Sequence, residues 1–171
     1  MKSFILVFVV LVALSSCQAP RPRPVPFVDL SAVSGTWYAL LWYDYTYPPS
    51  NLTECFKSEF EVNNKTISVR DTIITSGQKE VISFTFNVQN AGNSIWKADF
   101  DGSTWDWIEF AQGWGILACA DYQAALFLSK TKTVSAFVIQ TQIRLLQAEG
   151  YLLNSTNYVQ VPTLCDNAIE Y

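Results

Sequence analysis

The stretch GTWYALLWYDY, Gly35–Tyr45, places five aromatic rings within eleven consecutive positions. Aromatic residues are favoured in β-strands, where they pack well on a pleated surface. A closed barrel of eight strands leaves room for one small molecule, provided that one end of it is sealed. Trp37 is large and rigid enough to seal that end, and Gly35 lets the incoming chain bend close beneath it. The stretch therefore predicts the first strand of a small β-barrel, with Trp37 in its floor.

The rest of the chain alternates between strand signals and turn signals. In residues 56–62, FKSEFEV, charged side chains that must face water alternate with mainly apolar ones. Residues 104–113 are predicted as either a further strand or a long aromatic loop, and the apolar period becomes helical over residues 141–153. Other segments of strand composition, each bounded by turn residues, are 66–75, 81–89, 94–100, 114–122, 124–130 and 133–141.

This order of elements predicts the fold class. We expect an all-β fold, an eight-stranded up-and-down antiparallel β-barrel with one C-terminal helix packed outside. An immunoglobulin-type sandwich fits less well, because neither cysteine pair brackets a mid-chain Trp. Residues 20–171 can bury one sizeable core, so they are predicted to form a single domain.

Residues 1–19 have the composition of a secretory signal peptide, because Lys2 precedes an apolar core and then small residues. That core of about eleven residues is shorter than the ~20 that a spanning helix needs, so no integral membrane anchor is expected. Cleavage is expected between residues 15 and 19, and the alternative is a bacterial lipoprotein signal with Cys17 as the lipidated residue. A secreted, extracellular glycoprotein is favoured by three N-x-[ST] sequons beside predicted turns, at Asn51, Asn64 and Asn154.

The composition limits which metal, cofactor and catalytic sites the chain can form. The chain contains no His, which excludes His-ligated haem or zinc and His-dependent catalytic triads. Its cysteines lack the C-x-x-C spacing of zinc and redox motifs. The formal net charge of −4 comes without a basic patch in the predicted domain core, so nucleic acid is not an expected partner. We therefore expect no metal, no cofactor and no enzymatic activity, with the thiol of Cys119 as the one enzymatic alternative.

The four cysteines are consistent with disulfides in an extracellular protein. If the mature chain keeps Cys17, two disulfides can form in three possible pairings among Cys17, Cys55, Cys119 and Cys165. If cleavage removes Cys17, one thiol is left over. The spacing alone does not choose between these pairings.

Two short motifs resemble the signatures of the lipocalin family. Gly35, Trp37 and Tyr38 match the Gly-x-Trp of the first signature. Asp121 and Tyr122 match the Asp-Tyr of the second signature, which belongs at the turn between the sixth and seventh strands. Together with the signal peptide, the late helix and the cysteines, these motifs extend the resemblance over the whole mature chain.

The third signature of the family is only partly matched. In lipocalins an Arg directly follows the last barrel strand and covers the first-strand Trp through a cation–π contact. Here Thr141 stands at the expected place. Arg144, about one helical turn later, either reaches back to the floor or lies on the surface of the helix.

Within the family, the chain looks most similar to apolipoprotein D and the insect bilin-binding lipocalins, because a Cys and several prolines precede the Gly-x-Trp. That resemblance implies a disulfide between Cys55 and Cys165 and, less directly, one between Cys17 and Cys119. It also implies a secreted carrier of a small hydrophobic ligand. The alternatives are a filled barrel that acts as a protein-interaction module and a thiol-dependent enzyme that uses Cys119. A cell-surface receptor or a second copy of the chain is open as a further partner.

Alternation assigns the side chains that line the barrel. Such an aromatic lining favours flat or branched apolar molecules: retinoids, bilins, carotenoids, sterols or fatty acids. Arg70 is the one candidate to meet a ligand carboxylate, and the loop 46–54 corresponds to the lid of the family. The predicted lining consists of Leu41, Tyr43, Phe56, Phe60, Phe84, Phe86, Trp96, Phe137 and Ile139.

Overall fold

The computed structural model describes residues 22–111, 113–121, 123–154 and 156–165. The predicted signal peptide, Cys17 and Tyr122 lie outside the described residues. In these ranges, no helix has the length and apolar character needed to cross a bilayer. The elements follow the chain in the order α1 Leu30–Val33, β1 Gly35–Asp44, β2 Thr53–Asn63, β3 Thr66–Thr75, β4 Gln78–Val88, β5 Ile95–Ala98, β6 Thr104–Ala111, β7 Trp114–Cys119, β8 Ala124–Ser129, α2 Ala136–Ala148 and β9 Tyr158–Gln160.

Strands β1 to β8 form a closed antiparallel barrel in which each strand pairs with the next. β1 closes it, because Gly35–Tyr38 pairs with β2 while Tyr38–Asp44 pairs with β8. The short β9 is an additional strand that pairs with Leu41–Tyr43 of β1. The predicted eight-stranded up-and-down barrel with one C-terminal helix is therefore confirmed. Residues 104–113, which the sequence left open, contain strand β6.

An irregularity in β1 reverses the faces of its side chains. The register with β8 shifts between Ala39 and Leu41. Before the shift, Trp37 and Ala39 belong to the core inside the barrel. After it, Trp42 lines the interior, whereas Leu41 and Tyr43 pack in a second core outside. The inward placement predicted for Leu41 and Tyr43 is wrong, because one extra residue in a strand moves every later side chain to the opposite face.

The predicted strand at residues 133–141 is also wrong, because α2 already begins at Ala136. Ser135 is its N-cap, and the side chain of Ser135 accepts a hydrogen bond from the backbone N–H of Val138. Phe137 is 78% exposed on the helix, and Ile139 packs in the outer core. Neither residue lines the barrel, so their assignment to the lining is corrected.

Helix α2 covers the outside of the barrel. Ile139, Ile143 and Leu146 point from the helix into the second core. The helix ends at Ala148, shortly before Gly150, whose φ of 102° is typical of a residue that terminates a helix. The prediction that the helix continues to residue 153 is therefore wrong. Helix α2 therefore packs on this outer core and not in the barrel interior.

Candidate functional site

The floor of the barrel is built around Trp37. This residue is fully buried, and its Nε1 donates a hydrogen bond to the carbonyl oxygen of Val33 at 2.6 Å. Val33 ends the short helix α1, which Asp29 caps by accepting from the backbone N–H of Ser31. Gly35, with a φ of 107°, provides the left-handed backbone that turns the chain from α1 into β1. The helix and the first strand thus hold the Trp37 ring across the closed end.

Further aromatic rings fill the lower part of the barrel. The Trp37 ring centroid lies 5.9 Å from that of Trp107 and 6.5 Å from that of Phe60. Trp96 packs edge-on against Trp107 at 5.4 Å. Tilted and edge-on contacts of this kind stabilise aromatic clusters beyond the area they bury. Trp96 therefore faces inward as predicted, but it lies in this floor layer and not on the wall of the cavity described next.

A cation covers the floor from the other side. The Nζ of Lys130 lies 5.2 Å from the centroid of the Trp37 ring and donates to the carbonyl oxygen of Ser34 at 3.0 Å. Lys130 directly follows β8, the last barrel strand. Arg144 is instead exposed on α2. Of the two placements that the sequence left open for Arg144, the surface of the helix is the observed one, because the last barrel strand ends at Ser129 and residues 133–141 are not a strand.

Above the floor layer lies a cavity of about 400 Å³. Small-molecule sites typically measure ~300–1,000 Å³, so this one suits a compact ligand. It reaches the surface at the mouth of the barrel, where Ile82 and Phe100 line it and are 41% and 64% exposed. Its aromatic lining consists of Trp42, Phe56, Phe60, Phe84, Phe86, Phe100 and Trp105.

Four residues of the predicted lining stand on this wall, namely Phe56, Phe60, Phe84 and Phe86. Three aromatic lining residues are absent from the sequence prediction. Trp42 was missed because the shift in β1 has no sequence signal. Trp105 was missed because residues 104–113 could equally be a loop. Phe100 shares a face with Trp96 in the predicted strand 94–100, so alternation could have placed it inside.

Asp71 is the most unusual residue of the cavity. It lies on β3 opposite Ser58 of β2, and its side chain is 8% exposed. Ser58 hydrogen-bonds to the carboxylate, whereas Oδ1 of Asp71 has no hydrogen-bond partner among the described residues. Burial raises the pKa of Asp71 to about 6, and the hydrogen bond from Ser58 opposes this shift only in part. The cavity therefore contains an incompletely satisfied acidic group.

The second carboxylate of the cavity, Asp44, has a different environment. Its Oδ1 accepts hydrogen bonds from the backbone N–H groups of Thr46 and Tyr47, at 2.9 and 2.7 Å. Burial raises the pKa of Asp44, and these two hydrogen bonds counteract the shift. Asp44 thus fixes the start of the predicted lid loop at the mouth. The Thr46 hydroxyl and the backbone N–H of Tyr45 contact Gln123 of the neighbouring loop.

Arg70 does not face the cavity. Its guanidinium is largely exposed, and its Nη1 lies 3.8 Å from the Glu59 carboxylate on the outside of β2. The prediction that Arg70 meets a ligand carboxylate is wrong, because the neighbouring Asp71 occupies the inward position of β3. Lys and Arg are absent from the described residues that line the cavity.

Cys119 is buried and forms no disulfide with a described residue. Burial raises the pKa of its thiol to about 12, and a hydrogen bond to Asp121 adds to the shift. A thiolate nucleophile needs the opposite shift, and Cys119 is not among the lining residues of the cavity. Within the described ranges, no group of His, Cys, Asp and Glu side chains could hold a metal ion.

The barrel was compared with protein-family models, with curated protein sequences and with solved structures. No protein-family model and no curated protein sequence matches the chain. Solved structures do match. Ex-FABP, a siderocalin, has a TM-score of 0.63 at 9% identity over 77% of this chain and 95% of its own. Insecticyanin from the tobacco hornworm Manduca sexta has a TM-score of 0.63 at 16% identity over 88% and 89% of the two chains. Lobster apocrustacyanin A1 has a TM-score of 0.58 at 10% identity over 79% of each.

The chain has the lipocalin fold. The resemblance to lipocalins predicted from the sequence is thus confirmed for the fold. Identities of 9–16% establish the architecture and leave the ligand open.

Two of the family motifs lie at other positions in the structure than the sequence predicted. Asp121 follows β7 and accepts a hydrogen bond from the backbone N–H of Gln123 in the turn to β8. It does not lie between the sixth and seventh strands as predicted, because residues 104–113 contain a strand and shift the count by one. The position directly after the last barrel strand is taken by Lys130, which makes the floor contact expected of the family's Arg.

The described sequon residues lie at turns or in loops. Asn51, Asn64 and Asn154 are exposed, and Asn64 occupies the turn between β2 and β3. The disulfide between Cys55 and Cys165, implied by the family resemblance, is present. It joins β2 to the segment that follows β9.

Proposed function

We propose that this protein binds and carries a small hydrophobic ligand in the barrel cavity. The observation that carries the proposal is the apolar space of about 400 Å³ between a sealed floor and an accessible mouth. Desolvation of the ligand and of the ring-lined wall supplies the driving force, roughly 25 cal/mol per Å² of apolar surface removed from water. Binding is non-covalent and requires no chemistry from the protein.

The structural neighbours support this proposal. Ex-FABP is described as a siderocalin that functions through dual ligand specificities, and insecticyanin and the crustacyanin subunit share the same barrel. A binding role for the fold agrees with the cavity of this chain. Retinoids, sterols and other compact apolar molecules are the classes we propose to test first.

The two alternative functions have less support. A filled barrel would leave no space above the floor, whereas here the rings of Trp37, Trp96 and Trp107 fill only the lower part. A thiol-dependent enzyme would need a reactive thiol in the cavity, and the Cys119 thiol is buried elsewhere with a raised pKa.

We further infer that the protein is secreted as a glycoprotein. A disulfide such as Cys55–Cys165 forms and persists in oxidising compartments, and the three sequon asparagines are exposed. Expression of the full chain in a eukaryotic secretory host tests this inference. The protein should appear in the medium with a glycosidase-sensitive mass, and retention inside the cell would contradict it. The Cys17–Cys119 pair and a receptor or second-copy partner stay predictions.

Titration with retinol, followed by quenching of Trp fluorescence, tests cavity binding. Trp42 and Trp105 lie on the cavity wall, so a ligand there should quench them. Ala124→Trp places a bulky ring at the mouth of the cavity and should weaken binding by about tenfold or more. Phe137→Trp adds the same ring on the exposed side of α2 and should leave binding unchanged. No binding of any apolar probe, or equal losses in both variants, would contradict the proposal.

A further inference from the structure

The environment of Asp71 points to the polar group of the ligand. In the sheet, Asp71 pairs with Ser58 of β2 on one side and with Ile82 of β4 on the other. Both of these neighbours line the cavity with it. Ser58 supplies one hydrogen bond to the carboxylate, and Oδ1 has no partner among the described residues. One acceptor site on the wall is therefore left for a donor.

The other charges near the cavity do not compensate Asp71. Asp44 is the only other ionisable side chain among the described lining residues, and its Oδ1 is already engaged by two backbone N–H groups. The lining residues from β2, β4, β6, β7 and β8 are uncharged. A buried carboxylate without a cation or a full set of hydrogen bonds is costly, and a bound cation relieves that cost.

We propose that Asp71 receives the protonated amine of a compact apolar ligand, so that the cavity selects apolar amines over apolar acids of the same shape. This inference rests on the proposed cavity binding and adds the chemical class of the ligand. An ammonium group gives a charge-assisted hydrogen bond to the carboxylate, which is stronger than the neutral bond that an alcohol can give. An acid would instead bring a third carboxylate into an apolar space that already contains two, where like charges repel strongly.

Three probes with one apolar body separate these cases. 1-Naphthylmethylamine, 1-naphthalenemethanol and 1-naphthaleneacetic acid differ in the polar group and can be titrated calorimetrically at pH 7.5. The wild-type protein should bind the amine about tenfold or more tighter than the acid, with the alcohol between them. Asp71→Asn should lose about tenfold or more in affinity for the amine and keep its affinity for the alcohol.

Asp44→Asn is the matched control, because it removes the same charge from the same cavity. Its amide oxygen can still accept from Thr46 and Tyr47, so the mouth should keep its structure. In this variant the amine should still bind better than the alcohol. If Asp44→Asn and Asp71→Asn weaken amine binding equally, the loss comes from the total negative charge of the cavity, and the assignment to Asp71 is overturned.

The alcohol distinguishes failure of this inference from failure of cavity binding. If the alcohol binds to the wild type and to Asp71→Asn while the amine gains nothing over the acid, cavity binding stands and the role of Asp71 is overturned. Unchanged amine affinity in Asp71→Asn overturns that role as well. If none of the three probes binds to the wild type, the proposed cavity binding fails and this inference fails with it.

Discussion

At the scale of single residues, Asp71 shows how a buried carboxylate in a cavity wall can reduce stability. A carboxylate in an apolar wall loses its hydration, and the hydroxyl of Ser58 replaces only part of it. Unsatisfied polar groups at such positions are expected where a ligand completes them. Asp71 therefore opposes folding of the ligand-free barrel while it defines the polar end of the cavity.

Replacing Asp71 by Asn should therefore stabilise the ligand-free protein in a pH-dependent way. The pKa of Asp71 is about 6 in the folded state against 3.8 for an Asp side chain exposed to water, so the folded state binds the proton more tightly. The ionised form thus destabilises the fold above pH 6, and the cost disappears as the pH falls towards 4. At about 1.36 kcal/mol per unit, Asp71→Asn should raise the free energy of unfolding by roughly 2–3 kcal/mol at pH 8.

Urea denaturation of the wild type and the variant at pH 8 and pH 4.5 measures this difference. The gain should be about three times larger at pH 8 than at pH 4.5. Glu61→Gln, on the exposed outer face of β2, removes a charge without relieving burial and should change neither value appreciably. A gain of the same size at both pH values would show that packing, and not the buried charge, is responsible.

Asp71 was missed because of its charge. In β3, TISVRDTIIT, the apolar Ile67, Val69 and Ile73 share a face with Asp71, whereas mainly polar residues share the face of Arg70. Alternation therefore favours the Asp71 face as the inner one, but a carboxylate on that face goes against the usual exposure of charged residues. In β2, by contrast, charged residues alternate with Phe56 and Phe60, and the predicted inward face is the observed one. Alternating charge is what made Phe56 and Phe60 predictable as lining residues.

At the scale of elements, prediction failed at two places where the local sequence gave no signal or a misleading one. The register shift after Ala39 turns β1 over without any Gly or Pro to mark it. The start of α2 was obscured because Phe137, Val138 and Ile139 are all frequent in strands. The Ser at position 135 was the available sign of a helix start, since Ser is favoured at N-caps. The predicted number of eight strands is right although residues 133–141 belong to α2, because residues 104–113 supply β6 in their place. Most turns between strands were predictable because they contain Gly or Asn.

The N-cap of α2 can be tested by substitution. Ser135→Ala removes the side-chain acceptor for the backbone N–H of Val138 and should lower the free energy of unfolding by about 1 kcal/mol. Ser135→Asp keeps an acceptor and adds a charge favourable to the helix N-terminus, so it should retain wild-type stability. Urea denaturation measures both variants. Equal destabilisation by Ala and Asp would argue against a capping role.

At the scale of the whole molecule, the barrel is held at two places outside the cavity. Helix α2 covers one side through Ile143 and Leu146. The C-terminal segment runs along β1 and β2, with Val161 N–H donating to Leu40 O and Leu164 N–H donating to Glu54 O. The Cys55–Cys165 disulfide fixes the end of that segment. These two attachments therefore stabilise the barrel without lining its cavity.

Removal of this disulfide should lower stability and spare binding. The bridge joins residues 110 positions apart, and the chain-entropy model gives a loop of about that length up to about 4.7 kcal/mol. At roughly 2–4 °C per kcal/mol, the double variant Cys55→Ser/Cys165→Ser should melt ten degrees or more below the wild type. Neither cysteine is among the lining residues of the cavity, so retinol affinity at low temperature should stay unchanged.

Cys119→Ala, which leaves the bridge intact, controls for the loss of a buried sulfur. Peptide mapping of the unreduced protein must show Cys55 joined to Cys165, and a link from Cys55 to Cys17 or Cys119 would overturn this account of how the C-terminal segment is held.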